Sequence, residues 1–176
     1  EQMMLQNQNM DKDIIIGVDA GTSVIKAVGY SLDGKEIDSS SIPNKYKILN
    51  NGQVTQSLDE TWNSFIKVII DLKLKITNLE NRVAVISVTG QGDGTWLIDK
   101  SGNSVCDAWL WLDSRSSNIT KNLSNLETES YRFDSTGTGI FSGQQSSQIC
   151  YMDKYCSDIL DKSSTAFHCK DWLYFK

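Results

Sequence analysis

The sequence predicts an α/β domain, and three features carry this prediction. Three segments, Ile14 to Val18, Val24 to Leu32 and Lys35 to Ile42, have strand-like patterns and short connections, so they are expected to form antiparallel strands. A capping-box pattern from Ser57 to Glu60 then predicts the start of a helix. A further apolar run of strand length follows at Val83 to Thr89. Strands and helices are therefore mixed along the chain.

The first turn and the first helix follow from local chemistry. Asp33-Gly34, between the second and third strands, is typical of a two-residue type I′ hairpin turn. The polar stretch from Pro43 to Gln56 is predicted to be a loop, and the helix after Ser57 is predicted to extend to about Lys75. Its apolar face is predicted from residues at helical spacing, which are Trp62, Phe65, Ile66, Ile69 and Ile70.

The second half of the chain continues the mixture of strands and helices. Because Val83 to Thr89 is almost continuously apolar, this strand is expected to be covered on both faces. The other predicted elements are strands at Thr95 to Ile98 and Ser104 to Trp111, helices at Asp113 to Leu126 and near Ser147 to Leu160, and a loop over the site at Thr136 to Ser147.

Bulk composition limits the classes of partner. The 176 residues are 39% hydrophobic, and the net charge of -5, from 17 basic and 22 acidic residues, gives no electrostatic reason to expect nucleic acid or a membrane surface as a partner. No apolar stretch reaches the length of a spanning helix, and residues 1–12 lack the features of a signal peptide. We therefore expect a disordered leader at residues 1–12 and a cytoplasmic protein.

The loop between the first two strands is a candidate phosphate site. Asp19 ends an apolar strand, and Gly21, Thr22 and Ser23 precede Lys26 on the next strand. An acid at a strand end can orient Mg²⁺ or its waters, while small-residue amides and hydroxyls can approach phosphate oxygens. The motif is neither a Walker A loop nor a G-x-G-x-x-G turn. A plain β-hairpin explains the same residues, so both interpretations stay open on this motif alone.

The glycine-rich loop from Thr89 to Gly94 is a candidate binding site for a second ligand. Ligands bind at the carboxyl ends of strands in α/β sheets, and packing does not explain a carboxylate between two glycines. Asp93 is therefore a candidate ligand group, with a turn-stabilising aspartate as the alternative. Further along, Asp113 and Arg115 either line or brace a pocket, or serve as a helix cap and a surface ion pair.

Four motifs in order give the chain a family resemblance. The hairpin from Asp19 to Lys26, the Thr-Gly-Gln-Gly-Asp-Gly loop, the segment from Ala108 to Arg115 and the segment from Lys170 to Leu173 together resemble the N-terminal domain of the FGGY carbohydrate kinases. The resemblance covers residues 13–176. It implies a ribonuclease H-like domain of the actin, hexokinase and Hsp70-like ATPase type, with a mixed five-stranded-type sheet flanked by helices. It also implies a domain truncated before its end, without the C-terminal nucleotide-binding domain.

The resemblance implies a role for each motif. Asp19 would hold Mg²⁺, and the transferring phosphate of ATP would be bound by Gly21, Thr22, Ser23 and Lys26. The sugar or polyol would be bound by Gln91, Asp93, Trp111, Asp113 and Arg115. The catalytic base is expected beyond Lys176, and a homodimer is compatible with the full-length form. The loop sequence Gly-Gln-Gly-Asp-Gly, where typical xylulokinases have Gly-Gln-Met-His-Gly, favours a polyol such as erythritol as the substrate.

The implied function is ATP-dependent phosphorylation of a sugar or polyol hydroxyl by the full-length protein, with this chain alone inactive. Two alternatives remain open at this point. An actin-like or Hsp70-like ATPase shares the first hairpin but leaves the Gln91 loop and the segment ending at Arg115 without a role. A non-catalytic carbohydrate-binding fragment would keep the pocket without phosphoryl transfer. Sugar-dependent ADP production separates the kinase from the first alternative, and polyol binding without nucleotide favours the second.

Overall fold

The computed structural model describes residues 12–176, so residues 1–11 of the predicted leader lie outside the described part. The strands are β1 (Ile14–Ala20), β2 (Val24–Ser31), β3 (Glu36–Pro43), β4 (Lys47–Ile48), β5 (Val54–Gln56), β6 (Val83–Gly90), β7 (Gly94–Ile98), β8 (Ala108–Leu110) and β9 (Thr165–Phe167). The helices are α1 (Leu58–Lys75), α2 (Leu79–Arg82), α3 (Ser117–Leu123), α4 (Thr128–Thr136), α5 (Gln145–Tyr155), α6 (Ser157–Lys162) and α7 (Cys169–Phe175), with a short 3₁₀ turn at Asn50–Gly52.

The first sheet is mixed and has the strand order β3-β2-β1-β6. β1 pairs antiparallel with β2 and parallel with β6, so the carboxyl ends of β1 and β6 meet at one edge, where Asp19 lies opposite Thr89. This arrangement confirms the α/β class and the first three strands, with bounds that agree to within two residues at each end. Among the described residues the mixed sheet has four strands, where the five-stranded type was predicted.

The β2–β3 turn differs from the predicted type. A type I′ turn needs positive φ at both central residues, but only Gly34 has it, at 84°. The amide of Gly34 donates to the carbonyl oxygen of Ser31 at 2.9 Å, and the amide of Ser31 donates to the carbonyl oxygen of Lys35 at 2.9 Å. The connection is therefore a three-residue loop in which the glycine alone takes the left-handed conformation.

A second sheet, with the order β4-β5-β8-β7-β9, contains only antiparallel pairs. Its strands β4 and β5 form within the stretch from Pro43 to Gln56, so the prediction of a plain loop there was wrong. The strand predicted at Ser104 to Trp111 is shorter, since only Ala108 to Leu110 pair as β8 and Ser104 makes an isolated bridge to Ile98.

Helix α1 has the predicted bounds but a different buried face. The hydroxyl of Ser57 accepts a hydrogen bond from the amide of Glu60 at 3.2 Å, which confirms the N-cap. Of the five predicted core residues, Phe65 is buried, whereas Ile66 and Ile70 are exposed. The buried face consists of Leu58, Thr61, Phe65, Val68 and Leu72, and it packs on the first sheet. The prediction counted only apolar residues, so it missed Thr61. This threonine can be buried because its hydroxyl donates to the carbonyl oxygen of Ser57 at 2.9 Å.

The prediction that β6 is covered on both faces was also wrong. β6 pairs only with β1 within residues 12–176, and its Val85 and Ile86 side chains are 50% and 45% exposed. The apolar composition of this strand is therefore not matched by burial in the described part of the chain.

The last third contains more elements than predicted. The predicted helix from Asp113 to Leu126 is confined to α3, and the one near Ser147 to Leu160 is divided into α5 and α6 at Cys156. Helix α4 and strand β9 were not predicted. Among the helices of residues 12–176, none combines the length and apolar character needed to cross a bilayer.

Candidate functional site

The candidate site lies where β1 and β6 end. Asp19 is exposed on β1, directly across the antiparallel pair from Lys26 on β2 and beside Thr89 on β6. No side-chain hydrogen bond or ion pair within residues 12–176 engages the Asp19 carboxylate or the Lys26 ammonium. Two opposite charges at a strand end are thus left available to a ligand.

The loop from Gly21 to Ser23 is held by its carbonyl groups. The side-chain amide of Asn44 donates to the carbonyl oxygen of Gly21 at 2.9 Å, and the Asn44 backbone amide donates to that of Ser23 at 2.8 Å. Gln56 Nε2 donates to the carbonyl oxygen of Thr22 at 3.1 Å. Because all three carbonyls are bound from other segments, the opposite edge of the loop can present its amides to an anion.

Asp19 and Asp93 share one cleft. Its volume is about 420 Å³, and it is lined by Asp19, Gly21, Thr22, Gly90, Gln91, Gly92, Asp93 and Trp111. Asp93 is half-buried, and its carboxylate makes no side-chain hydrogen bond or ion pair within the described chain. Asp19 also lines a second cleft of about 310 Å³, on the open face of the first sheet, together with Gly17, Val18, Lys26, Val28, Tyr30, Ser87 and Thr89. Asp19 therefore stands at the junction of two clefts.

Glycine allows the two loops to approach each other. A Cβ atom on Gly90 would lie 2.6 Å from the carbonyl oxygen of Ala20, which is closer than real Cβ contacts. The amide of Gln91 then donates to that same oxygen of Ala20 at 3.2 Å. Close packing of the ends of β1 and β6 is therefore what brings the Asp93 loop next to the Asp19 hairpin.

Gln91 is part of the cleft wall, but its amide group is used internally. The residue is only 8% exposed. Its Oε1 accepts from the hydroxyl of Thr22 at 3.2 Å, and its Nε2 donates to Gln56 Oε1 at 2.7 Å. The contact between Gln91 and a substrate hydroxyl stays a prediction, and the internal hydrogen bonds of its side chain favour a positioning role.

Trp111 lines the same cleft as Asp93 and bonds the Gly21 to Ser23 loop. Its indole is 44% exposed, and its Nε1 donates to the hydroxyl oxygen of Thr22 at 3.0 Å. Gly143, in the loop predicted to lie over the site, packs so closely on the Trp111 carbonyl that a Cβ atom there would overlap the oxygen. The position of the tryptophan is therefore fixed from both sides.

Asp113 and Arg115 form an ion pair with each other. Asp113 is fully buried, and one carboxylate oxygen accepts from the amide of Val54 at 2.9 Å and from Arg115 Nη2 at 2.7 Å. The Arg115 guanidinium also stacks over the ring of Trp109, 3.2 Å from its centroid. Neither Asp113 nor Arg115 lines the cleft shared by Asp19 and Asp93. The geometry favours bracing of the Trp109 to Arg115 segment over direct contact with a ligand.

Sequence reasoning missed two positioning residues, Asn44 and Gln56. Both are buried, with exposures of 3% and 0%, and both donate to carbonyl oxygens of the Gly21 to Ser23 loop. They lie in the stretch predicted to be a loop, where a polar residue carries no signal of burial. Their role becomes visible only when the chain is folded.

A buried thiol sits beneath the site. Burial raises the pKa of Cys169 to about 12, and hydrogen bonding with Gln91 opposes this only in part. The Cys169 thiol donates to the carbonyl oxygen of Ala20 at 3.9 Å. At neutral pH the group is therefore an unreactive thiol that packs under the end of β1. Within residues 12–176, no group of three His, Cys, Asp or Glu residues could form a metal cage.

The fold and the site define a class before they define a family. A mixed sheet of this order, with a hairpin turn and a cleft at the edge where β1 and β6 end, is typical of the actin and hexokinase-like α/β class. The structure superimposes on the gluconate kinase of Lactobacillus acidophilus with a TM-score of 0.85 at 20% identity, over 92% of this chain and 32% of that one.

Sequence comparison gives the family. Residues 14–176 match the N-terminal domain model of the FGGY family of carbohydrate kinases, and the chain belongs to this family. It is 46% identical to the erythritol kinase of Brucella abortus over 162 residues, which are 92% of this chain and 31% of that protein. It is 31% identical to a glycerol kinase of Leptospira biflexa over 171 residues, or 94% of this chain and 34% of that protein. The chain thus spans about a third of the length of these relatives. The family match confirms the predicted resemblance and decides against the actin-like or Hsp70-like alternative.

Proposed function

We propose that the complete gene product carrying this chain transfers a phosphoryl group from ATP to a hydroxyl of a small polyol, with erythritol as the first candidate. The observation that carries the proposal is the position of Asp19 at the junction of two clefts, one of which it shares with Asp93. Phosphoryl transfer needs a charged donor site and a hydroxyl-binding site that meet at one point. The identity to an erythritol kinase and the Gly-Gln-Gly-Asp-Gly spelling both support a polyol as the acceptor.

The residues on the donor side fit a metal-bound phosphate. Asp19 offers one unengaged carboxylate, which suits Mg²⁺, since this ion usually takes one or two carboxylates and completes its shell with water and phosphate oxygens. Lys26 lies across the strand pair and would neutralise phosphate charge. The tethered carbonyls of the Gly21 to Ser23 loop would leave its amides for phosphate oxygens. When bound, Mg²⁺ and ATP would supply the transferred group and the charge neutralisation at its oxygens.

The acceptor side rests on Asp93 and Trp111. A half-buried carboxylate without an internal partner can accept hydrogen bonds from two polyol hydroxyls, each worth more than a neutral pair. The exposed face of the Trp111 ring would pack against the carbon chain of the polyol. Asp113 and Arg115 would act indirectly, by holding the segment that carries Trp111. We assign no proton acceptor within residues 12–176.

The test is ADP formation by the purified complete gene product with ATP and Mg²⁺, followed in a coupled assay against erythritol, glycerol and xylulose. The proposal expects polyol-dependent turnover, with the highest kcat/KM for erythritol. ADP formation that does not depend on any of these acceptors would contradict it. Polyol binding by calorimetry without turnover would instead establish the non-catalytic carbohydrate-binding alternative.

A further inference from the structure

A chain of hydrogen bonds links four separate segments, and three of its four residues line the cleft. Gln56, at the end of β5, bonds Gln91 in the β6–β7 loop, which bonds Thr22 in the β1–β2 loop, which bonds Trp111 after β8. The distances are 2.7 Å from Gln91 Nε2 to Gln56 Oε1, 3.2 Å from Thr22 Oγ1 to Gln91 Oε1 and 3.0 Å from Trp111 Nε1 to Thr22 Oγ1. These hydrogen bonds join the Gly21 to Ser23 loop to Trp111, the residue proposed to pack against the polyol.

The direction of donation along these hydrogen bonds is fixed at both ends, by Gln56 and by Trp111. Gln56 Nε2 lies 3.1 Å from the carbonyl oxygen of Thr22 and 3.1 Å from that of Lys45, and carbonyl oxygens only accept hydrogen bonds. The amide nitrogen of Gln56 must therefore face them, which leaves its Oε1 as an acceptor for Gln91. At the other end the indole of Trp111 can only donate. Each link between these ends has one polarity that satisfies every atom.

The polarity assigns the hydroxyl proton of Thr22. Gln91 donates through Nε2 to Gln56, so its Oε1 must accept, and the donor is the Thr22 hydroxyl. The Thr22 oxygen in turn accepts from Trp111. A hydroxyl has one proton, so Thr22 has none left to donate to a phosphate oxygen. The exposed hydroxyl of Ser23, next in sequence, has no hydrogen-bond partner among the described residues and retains its proton for a ligand.

We propose that Gln56 is a positioning residue that sets the direction of this chain, so that Thr22 holds Trp111 at the acceptor site while Ser23 donates the hydroxyl contact to the phosphate. The inference rests on the proposed kinase function and refines it, because it moves Thr22 from the donor side to the acceptor side of the reaction. A buried glutamine that contacts neither substrate would thereby affect the affinity for the polyol.

The first test is spectroscopic and does not depend on activity. In the complete gene product labelled with ¹⁵N-tryptophan, the indole N–H signal of Trp111 is assigned with Trp111→Phe. Thr22→Val, which keeps the shape and removes the acceptor, should shift this signal upfield and speed its exchange with water at least tenfold. Thr22→Ser should restore the wild-type signal, and Thr120→Val, an equal change at another half-buried threonine, should leave it unchanged.

Gln56→Met tests the origin of the direction. In a folded variant the Trp111 signal should move in the same sense as in Thr22→Val, because the Gln91 amide is freed to turn over. An unchanged signal in folded Gln56→Met would overturn the role of Gln56. If this variant does not fold, the comparison of Thr22→Val with Thr22→Ser decides the polarity at Thr22, and an unmoved Trp111 signal in Thr22→Val refutes the inference.

The second test is kinetic. Thr22→Val should raise KM for the polyol roughly threefold to tenfold, the effect of one neutral hydrogen bond, with KM for ATP within about twofold of wild type. Ser23→Ala should instead raise KM for ATP and leave KM for the polyol within about twofold of wild type. A rise in KM for ATP in Thr22→Val as large as that in Ser23→Ala would overturn the inference. Absence of polyol-dependent turnover in the wild-type protein would instead refute the proposed function, while the indole signal would still report the direction of the chain.

Discussion

Replacement of Asp113 by asparagine tests whether this residue braces the segment that carries Trp111 or contacts the ligand. The carboxylate is fully buried and accepts four hydrogen bonds of 2.7 to 3.1 Å from Arg115, and one of 2.9 Å from the amide of Val54. Asparagine keeps the shape, but it removes the charge and places an NH₂ group against donors. The Arg115 guanidinium, whose side chain is only 13% exposed, would lose its counter-ion.

The structure sets the size of the effect. Removal of one partner from a buried ion pair costs about 3–5 kcal/mol, because the other charge remains buried without compensation. We therefore expect Asp113→Asn to lower the free energy of unfolding by about 3 kcal/mol or more. The exposed pair of Asp33 and Lys35 provides the control, and Asp33→Asn should leave stability unchanged within error.

The assay is urea unfolding of the complete gene product, followed by tryptophan fluorescence, alongside KM for the polyol. Bracing predicts a large loss of stability, with a rise in KM that is reversed when the fold is stabilised by osmolyte. A loss of stability below about 1 kcal/mol, combined with a large rise in KM, would refute the bracing argument and establish direct contact between Asp113 and the acceptor.

Three further perturbations have definite expected outcomes. Lys26→Met should raise KM for ATP at least tenfold without changing polyol binding, because it removes the cation across from Asp19; equal ATP affinity would contradict the donor-side assignment. Iodoacetamide at pH 8 should modify the exposed Cys150 while sparing Cys169, whose pKa is raised to about 12 by burial; mass spectrometry of the peptides would show whether Cys169 reacts at a similar rate. Gly90→Ala should destabilise the fold by about 1–3 kcal/mol, since its Cβ would collide with the Ala20 carbonyl, and a neutral effect in thermal unfolding would refute that close approach.

Local patterns predicted strands β1 to β3 and helix α1, but not the strands β4 and β5 that lie between them. Strands β1 to β3 follow from apolar or alternating runs bounded by turn residues, and α1 from a cap that the structure retains. The turn at Asp33-Gly34 was placed correctly but given the wrong type, because the same dipeptide also suits a three-residue loop with one left-handed glycine. A turn dipeptide therefore predicts where a turn lies, but it does not determine the turn type.

Burial was harder to predict than secondary structure. The apolar run of β6 indicated a strand covered on both faces, yet Val85 and Ile86 are largely exposed, since coverage depends on which elements pack beside the strand. On α1 the buried face includes Thr61 and excludes Ile70, because contacts with the sheet select the face and a hydroxyl can be satisfied by the helix itself. Hydrophobic spacing alone does not contain this information.

The candidate site was predictable where a residue type stands out in a loop, and hidden where a polar residue acts through others. Asp19 and Asp93 were singled out from the sequence, and in the structure both residues line the same cleft. Their roles remain predictions. Gln56 gave no signal, because a glutamine in a polar stretch is usually solvated, and only the fold shows that it is fully buried between two carbonyl oxygens.

The central claim is that Asp19 serves the donor and Asp93 the acceptor across one cleft. The most direct measurement compares the steady-state kinetics of Asp19→Ala and Asp93→Ala in the complete gene product, with polyol binding followed separately by calorimetry. The account predicts that Asp19→Ala lowers kcat by orders of magnitude with polyol affinity retained, whereas Asp93→Ala chiefly weakens polyol binding. Intact turnover in Asp19→Ala, or unchanged polyol affinity in Asp93→Ala, would contradict it.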